Sequence, residues 1–308
     1  MTPSLKKAPL RAPGPRFEVE KDFAGRQHIG HREKQEDYYA FGDVSEKLES
    51  PFTRLLIGLG DGLGAHIGGN VASFLLVSEF IKAYRRSALT AAWRLRVALE
   101  AANEALHHLS HRLQWNQAPM GSTFIGLMVA ADHAHWISVG DSPLFLFRDG
   151  QLQRLNADHS LAPLLDDRVK RGELTAQEAQ FHPDRHVLQS ACMGLPLTLV
   201  DARMEKFPLK PGDVLIAASD GVLTLEKDTI RDLLAFGMNT TAGKIADALL
   251  FAVRGANHPR QDNTTVAVVK VPTAAGGRQE PEVAAASSSA SRPQGAGANG
   301  AEGSLTGE

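Results

Sequence analysis

The sequence predicts an α+β layered sandwich, and three observations lead there. Two helix-length stretches, 70–85 and 90–111, the second with an apolar face, stand among short apolar runs of strand length. The runs 123–129, 134–139 and 144–147 follow one another through "AADHA" and "GDSP". Connections that short suit antiparallel neighbours, because a parallel crossover needs about a dozen residues or more. A chain of 308 residues with 43% hydrophobic content can also build a substantial core.

Along the chain, residues 1–16 are basic and proline-containing, and are expected to form a flexible arm. The run 55–59 is a buried strand that enters the glycine-rich stretch "RLLIGLGDGLGAHIGG" (54–69). That stretch admits two interpretations. Gly60-x-Gly62-x-x-Ala65, with Glu79 downstream, fits a dinucleotide fingerprint. Asp61, however, would repel a pyrophosphate and suits a cation instead. In the helix 90–111, Leu95, Leu99, Ala102, Leu106 and Leu109 mark one face, with Arg96, Glu100, Asn103 and His107 on another. Thr90 is its expected N-cap. Further strands are expected at 214–218 and 264–271, and a third helix at 242–253 after Thr240 or Thr241. Residues 161–186 are polar and interrupted. From Thr273 the chain is Ala, Ser and Gly with almost no large apolar residue, so the tail 273–308 is expected to be disordered. The folded domain is therefore placed at 17–272.

Lys plus Arg number 33 and Asp plus Glu 35, a net charge of −2, which offers no case for nucleic acid or an anionic membrane as partner. The single cysteine, Cys192, excludes an internal disulfide and fits a reducing compartment. No run of about 18 apolar residues reads as a transmembrane helix, and the basic N-terminal stretch, with no apolar run behind it, is not expected to be a secretory signal. A cytoplasmic monomer is the expectation.

The acidic residues carry the functional signal. Asp61 follows the run 55–59, Asp141 follows "WISVG", and Asp220 follows "VLIAAS". Asp262 precedes "NTTVAVVKV", and Glu36-Asp37 precede "YYAFGD". Each taken singly is an ordinary turn residue. Together, at the ends of buried strands and with Arg32 the main nearby cation, they form the donor set that hard divalent ions take.

These segments, in this order, resemble the PPM (PP2C) family of metal-dependent serine/threonine protein phosphatases. The resemblance rests on "REKQED" (32–37), "GDGLGAHIGGNVAS" (60–73), "GST" (121–123), "ISVGDSPLFLF" (137–147), "NADHS" (156–160), "VLIAASDGVLTL" (214–225) and "QDNTTVAVV" (261–269). It implies a four-layer α/β/β/α sandwich of two mainly antiparallel sheets flanked by helices. It implies two Mn²⁺ or Mg²⁺ ions held by Asp37, Asp61, the Gly62 carbonyl, Asp220 and Asp262, with Glu36 acting through a water. Asp141 matches the position of a third, weaker ion. Arg32 would grip the substrate phosphate. The implied reaction is hydrolysis of phosphoserine and phosphothreonine in proteins by a metal-activated water, opposing a bacterial serine/threonine kinase.

The sequence departs from the family pattern at Gln35, Ala65, Pro143 and Asn156. Leu63 stands where some relatives carry a histidine as general acid, and points to the bacterial branch. His66 and His159 are expected to be structural and Cys192 to be inert. Residues 161–190 correspond to the variable flap, where His182 and His186 are expected to be solvated. Two competing functions remain at this stage: a non-enzymatic pseudophosphatase or metal-sensing module, and an oxidoreductase resting on the glycine fingerprint.

Overall fold

The computed structural model describes residues 15–46, 51–63, 68–114 and 120–273. The expected arm lies almost wholly outside the described residues, as does the tail beyond 273, and so do Ala65 and His66. In chain order, β1 (Phe23–His28), β2 (Tyr38–Asp43) and β3 (Arg54–Gly60) precede a short β4 (Gly62–Leu63). The helices α1 (Gly69–Arg86) and α2 (Ala91–Arg112) follow, then β5 (Gly121–Ser122), β6 (Phe124–Ala130), β7 (His133–Val139), β8 (Leu144–Arg148) and β9 (Gln151–Arg154). Short helices α3 (Ala162–Lys170) and α4 (Ala176–Gln180) occupy the flap segment. The chain closes with β10 (Asp201–Pro208), β11 (Val214–Ala218), a 3₁₀ turn Asp220–Thr224, α5 (Lys227–Gly237), α6 (Ala242–Gly255) and β12 (Thr264–Lys270).

Two five-stranded sheets result, in the orders β1-β12-β11-β8-β9 and β10-β7-β6-β3-β2, with β4 and β5 forming a separate pair. Every ladder between these strands is antiparallel. The doubly wound parallel sheet that an oxidoreductase of the dinucleotide type needs is therefore absent from the described residues. One detail of the expected meander is corrected. β6 and β7 form a hairpin, but "GDSP" carries the chain out of one sheet into the other, so β7 and β8 are not neighbours. The connection turns at Gly140, whose φ of +100° a side chain would strain.

Burial explains the layers. In β3, Leu55, Ile57 and Leu59 face a core shared with Leu127, Trp136, Leu215 and Val269 between the two sheets. The alternate residue Leu56 joins Leu76, Phe80, Leu95 and Leu99 of α1 and α2 on the other side. On the far face of the other sheet, Ile216 and Val268 pack with Ile245, Leu249 and Val253 of α6. The order is helix, sheet, sheet, helix. Gly58 and Gly126 are cross-strand partners, and a Cβ on Gly126 would stand 2.5 Å from the buried Phe80 ring. That bare patch lets α1 settle close to its sheet. Thr241 caps α6 by accepting from the Lys244 amide, whereas Thr90 precedes α2 without a side-chain cap bond. Asn103, expected on the polar face of α2, is buried, and its amide bonds the backbone of Gly194 and Leu195. No helix among the described residues is long and apolar enough to cross a membrane.

Candidate metal centre

The acidic residues singled out in the sequence lie at strand ends: Asp61, Asp141 and Asp220 just after β3, β7 and β11, and Glu36-Asp37 and Asp262 just before β2 and β12. Asp61 leaves β3 with its backbone pinned: its carbonyl accepts from the Ser122 hydroxyl and the Thr123 amide, and its amide donates to the Thr123 hydroxyl. Thr123 in turn pairs with Ser142 at 2.7 Å. The Gly62 amide donates to the Glu36 carbonyl at 3.2 Å, and a Cβ on Gly62 would fall 2.3 Å from the Gly69 carbonyl oxygen. Only glycine fits there, so Glu36, Gly62 and the start of α1 close on one another. The Glu36 carboxylate lies against Gly69 in the first turn of α1, where the helix dipole favours negative charge.

Asp37 is the most enclosed of the set. Its Oδ2 accepts from the hydroxyls of Ser219 and Thr265, both at 2.7 Å, while its Oδ1 is buried with no hydrogen-bond partner. Ser219 directly precedes Asp220, so one hydroxyl couples the two acids. Gly221 behind it would drive a Cβ to 2.1 Å from the Asn263 carbonyl oxygen. The Asn263 side chain accepts from the Glu36 amide and donates to the carbonyls of Ile29 and Lys34. It thereby holds the loop bearing Arg32, Glu36 and Asp37 against the one bearing Asp262. Arg32 pairs with Asp262 at the exposed mouth.

The electrostatics show the acids crowded together. Burial raises Asp37 to about 6, with the charges of Asp220 and Asp262 adding to the rise against the two hydroxyl bonds. Asp141 reaches about 7 through burial, then the Asp220 and Asp158 charges. Asp61 is pushed well above the ordinary carboxylate range by burial and by Asp37, Asp220, Asp141 and Asp262. Asp220 rises through burial and Asp262, offset by a hydrogen bond shared with Asp61 and by His186. Burial also raises Glu36. Among the described residues no three of these side chains draw into a closed cation cage. They share a field rather than a single point. The donor set nonetheless fits a hard divalent ion: it is all oxygen, lacks compensating cations inside, and leaves one buried carboxylate oxygen unpaired.

The structure links these residues pairwise: Gly62 to Glu36, Asp37 through Ser219 to the residue before Asp220, and Arg32 to Asp262 at the mouth, with the Asp141 charge felt at Asp61. Sequence reasoning missed Ser219, Thr265 and Asn263, although all three lie inside motifs it singled out. It also missed Arg154, which donates to the Asp141 carbonyl and pairs with Asp158. Asn156 replaces a bond network rather than a ligand: its side chain accepts from the Leu144 amide and donates to the Ser142 carbonyl. His159 accepts from the Gly140 amide through Nδ1. Cys192 is fully buried, and burial pushes its thiol far up, so it is not a nucleophile.

The family model described as "Protein phosphatase 2C" matches residues 24–252. The chain belongs to the protein phosphatase 2C family. Its relatives in that family include protein phosphatase PhpP of Streptococcus pneumoniae, 30% identical over 227 residues, covering 71% of this chain and 86% of that one. The solved serine/threonine phosphatase of S. agalactiae superposes with a TM-score of 0.68 at 26% identity, covering 81% of this chain and 99% of its own. The catalytic domain of the phosphatase PstP, solved in complex with two manganese ions, shares the fold at 24% identity and a TM-score of 0.63, covering 82% and 98%. The two five-stranded sheets with their flanking helices are thus the 2C fold, and the acidic cluster lies at the strand ends of a protein phosphatase.

Proposed function

We propose that this phosphatase hydrolyses phosphoserine and phosphothreonine in proteins at a two-ion centre, and that it opposes a serine/threonine kinase. The observation that carries the proposal is the unpaired buried oxygen of Asp37 amid four further carboxylates. Asp37, Asp61, the Gly62 carbonyl, Asp220 and Asp262 would hold two Mn²⁺ or Mg²⁺ ions, with Glu36 contributing from the side and Asp141 at a third position. When bound, such ions supply acidified water and absorb charge on the phosphoryl oxygens. The chain's own residues do the rest. Ser219 and Thr265 fix the Asp37 carboxylate, Asn263 fixes the loop behind it, and Arg32 offers a planar two-donor fork to the phosphate. Arg32 rests on Asp262 at the exposed mouth of the centre. Residues 17–272 would form the catalytic domain, acting as a monomer.

The S. agalactiae serine/threonine phosphatase and PstP, the latter with two manganese ions, support this direction. The test is turnover of a phosphothreonine peptide. We expect hydrolysis with Mn²⁺, loss of activity in EDTA and recovery on readdition. Alkylating reagents are expected to leave the rate unchanged, because Cys192 is inaccessible. Calorimetric Mn²⁺ binding without turnover would instead favour a metal-sensing pseudophosphatase.

A further inference from the structure

Beside the acidic centre lies a pocket of opposite character. It has a volume of about 280 Å³ and is lined by His28, His31, Arg254, Asn257, His258 and Gln261, with no carboxylate among its walls. Its donors arrive from separate elements: His28 ends β1, His31 follows in the next turn, and Arg254 and His258 lie at and beyond the last turn of α6. The helix C-terminus accounts for a cation at Arg254, but not for the two histidines that converge from the other side. Arg254 makes no ion pair with any described residue, although its charge reaches His28.

The hydrogen bonds of the imidazoles decide what chemistry the pocket accepts. The Gly30 amide donates to Nδ1 of His28 at 3.0 Å, and the Arg260 amide donates to Nδ1 of His258 at 3.4 Å. An amide can only donate, so each Nδ1 is the acceptor and each Nε2 carries the proton. The rings therefore present N–H donors even when neutral. They suit an anion and disfavour a metal ion, which needs a lone pair at that nitrogen. The pocket is also mechanically joined to the phosphate-gripping arginine. The His31 amide donates to the Gln261 carbonyl at 2.8 Å. Gly30 has φ +66°, and a Cβ there would stand 2.4 Å from the carbonyl oxygens of Gln261 and Asp262. Arg32 follows at once and pairs with Asp262. One turn thus carries the pocket on one side and Arg32 on the other.

We propose that this pocket is a second anion subsite, which takes a carboxylate or phosphate on a residue flanking the phosphorylated residue of a substrate peptide. The proposal rests on the phosphatase function above. Its test uses phosphothreonine peptides that differ at one flanking position, which carries alanine, glutamate or a phosphonate mimic of phosphoserine. That position is moved through three residues on either side. For wild type with Mn²⁺, KM is expected to fall about five- to tenfold for an anionic peptide at one position, with kcat little changed. Glutamate and the phosphonate together separate a carboxylate preference from a phosphate preference. The double variant Arg254→Gln/His258→Gln should erase the difference while hydrolysing p-nitrophenyl phosphate at the wild-type rate. Arg254→Glu should turn the preference toward a lysine-flanked peptide. Equal KM values for all peptides at all positions would overturn the proposal. So would a double variant that slows p-nitrophenyl phosphate equally, since the effect would then be general damage. Failure of wild type to hydrolyse p-nitrophenyl phosphate at all would instead sink the phosphatase function beneath it.

Discussion

Asp220→Asn should lower Mn²⁺-dependent kcat/KM on a phosphothreonine peptide by roughly 10²–10⁴-fold, as expected for removing a charged group that acts on the reacting centre. Asp220 occupies the start of a 3₁₀ turn directly after β11, with Ser219 before it bonded to Asp37 and Gly221 after it wedged on Asn263. Asparagine has the same size and keeps one acceptor oxygen, so the turn survives. What disappears is a full negative charge, and with it the carboxyl that shares a hydrogen bond with Asp61. Circular dichroism should match wild type. A rate within twofold of wild type would rule Asp220 out of the centre.

Asp37→Asn should have opposite effects on stability with and without metal. The Asp37 carboxyl is buried, keeps an unpaired oxygen and titrates at about 6 instead of 3.8. Between those pH values the folded chain holds a proton that the unfolded chain has shed. This group's contribution to stability is therefore full below pH 4 and is lost as the pH rises through about 6. In EDTA at pH 8, Asp37→Asn should melt a few degrees above wild type, the rise that about 1 kcal/mol gives in a domain of this size. The difference should vanish near pH 4. With Mn²⁺ the order should invert, because only the wild type gains binding energy from the ion. A variant less stable than wild type in EDTA at pH 8 would contradict the crowding of like charges described above.

The strands and helices legible in the sequence are those whose burial leaves a continuous apolar run or a helical stripe. β3, β6, β11 and β12 are buried along nearly their whole length, and α1, α2 and α6 carry an apolar stripe. β9 and β10 went unseen because they are sheet edges with exposed positions, and α3 and α4 bury only Leu165 and Ala179. The switch of sheet after β7 was hidden for a different reason: a four-residue link looks the same whether it closes a hairpin or bridges two layers. At the site, aspartates at strand ends were visible as a pattern. The hydroxyls that orient them were not, because Asp37 meets Ser219 and Thr265 across 182 and 228 residues of chain. Arg154 escaped notice likewise, since its link to Asp141 exists only once β8 and β9 pair.

The claim that these carboxylates form a cation centre is tested most directly by calorimetric titration of the metal-free chain with Mn²⁺ near pH 7. Uptake of about two ions per chain is expected, with proton release that makes the heat depend on the buffer's ionisation enthalpy. The protons come from carboxyls that crowding holds partly protonated, Asp141 at about 7 among them. Asp61→Asn should lose most of this binding. Absence of Mn²⁺ binding by the wild type, or binding untouched in Asp61→Asn, would contradict the assignment.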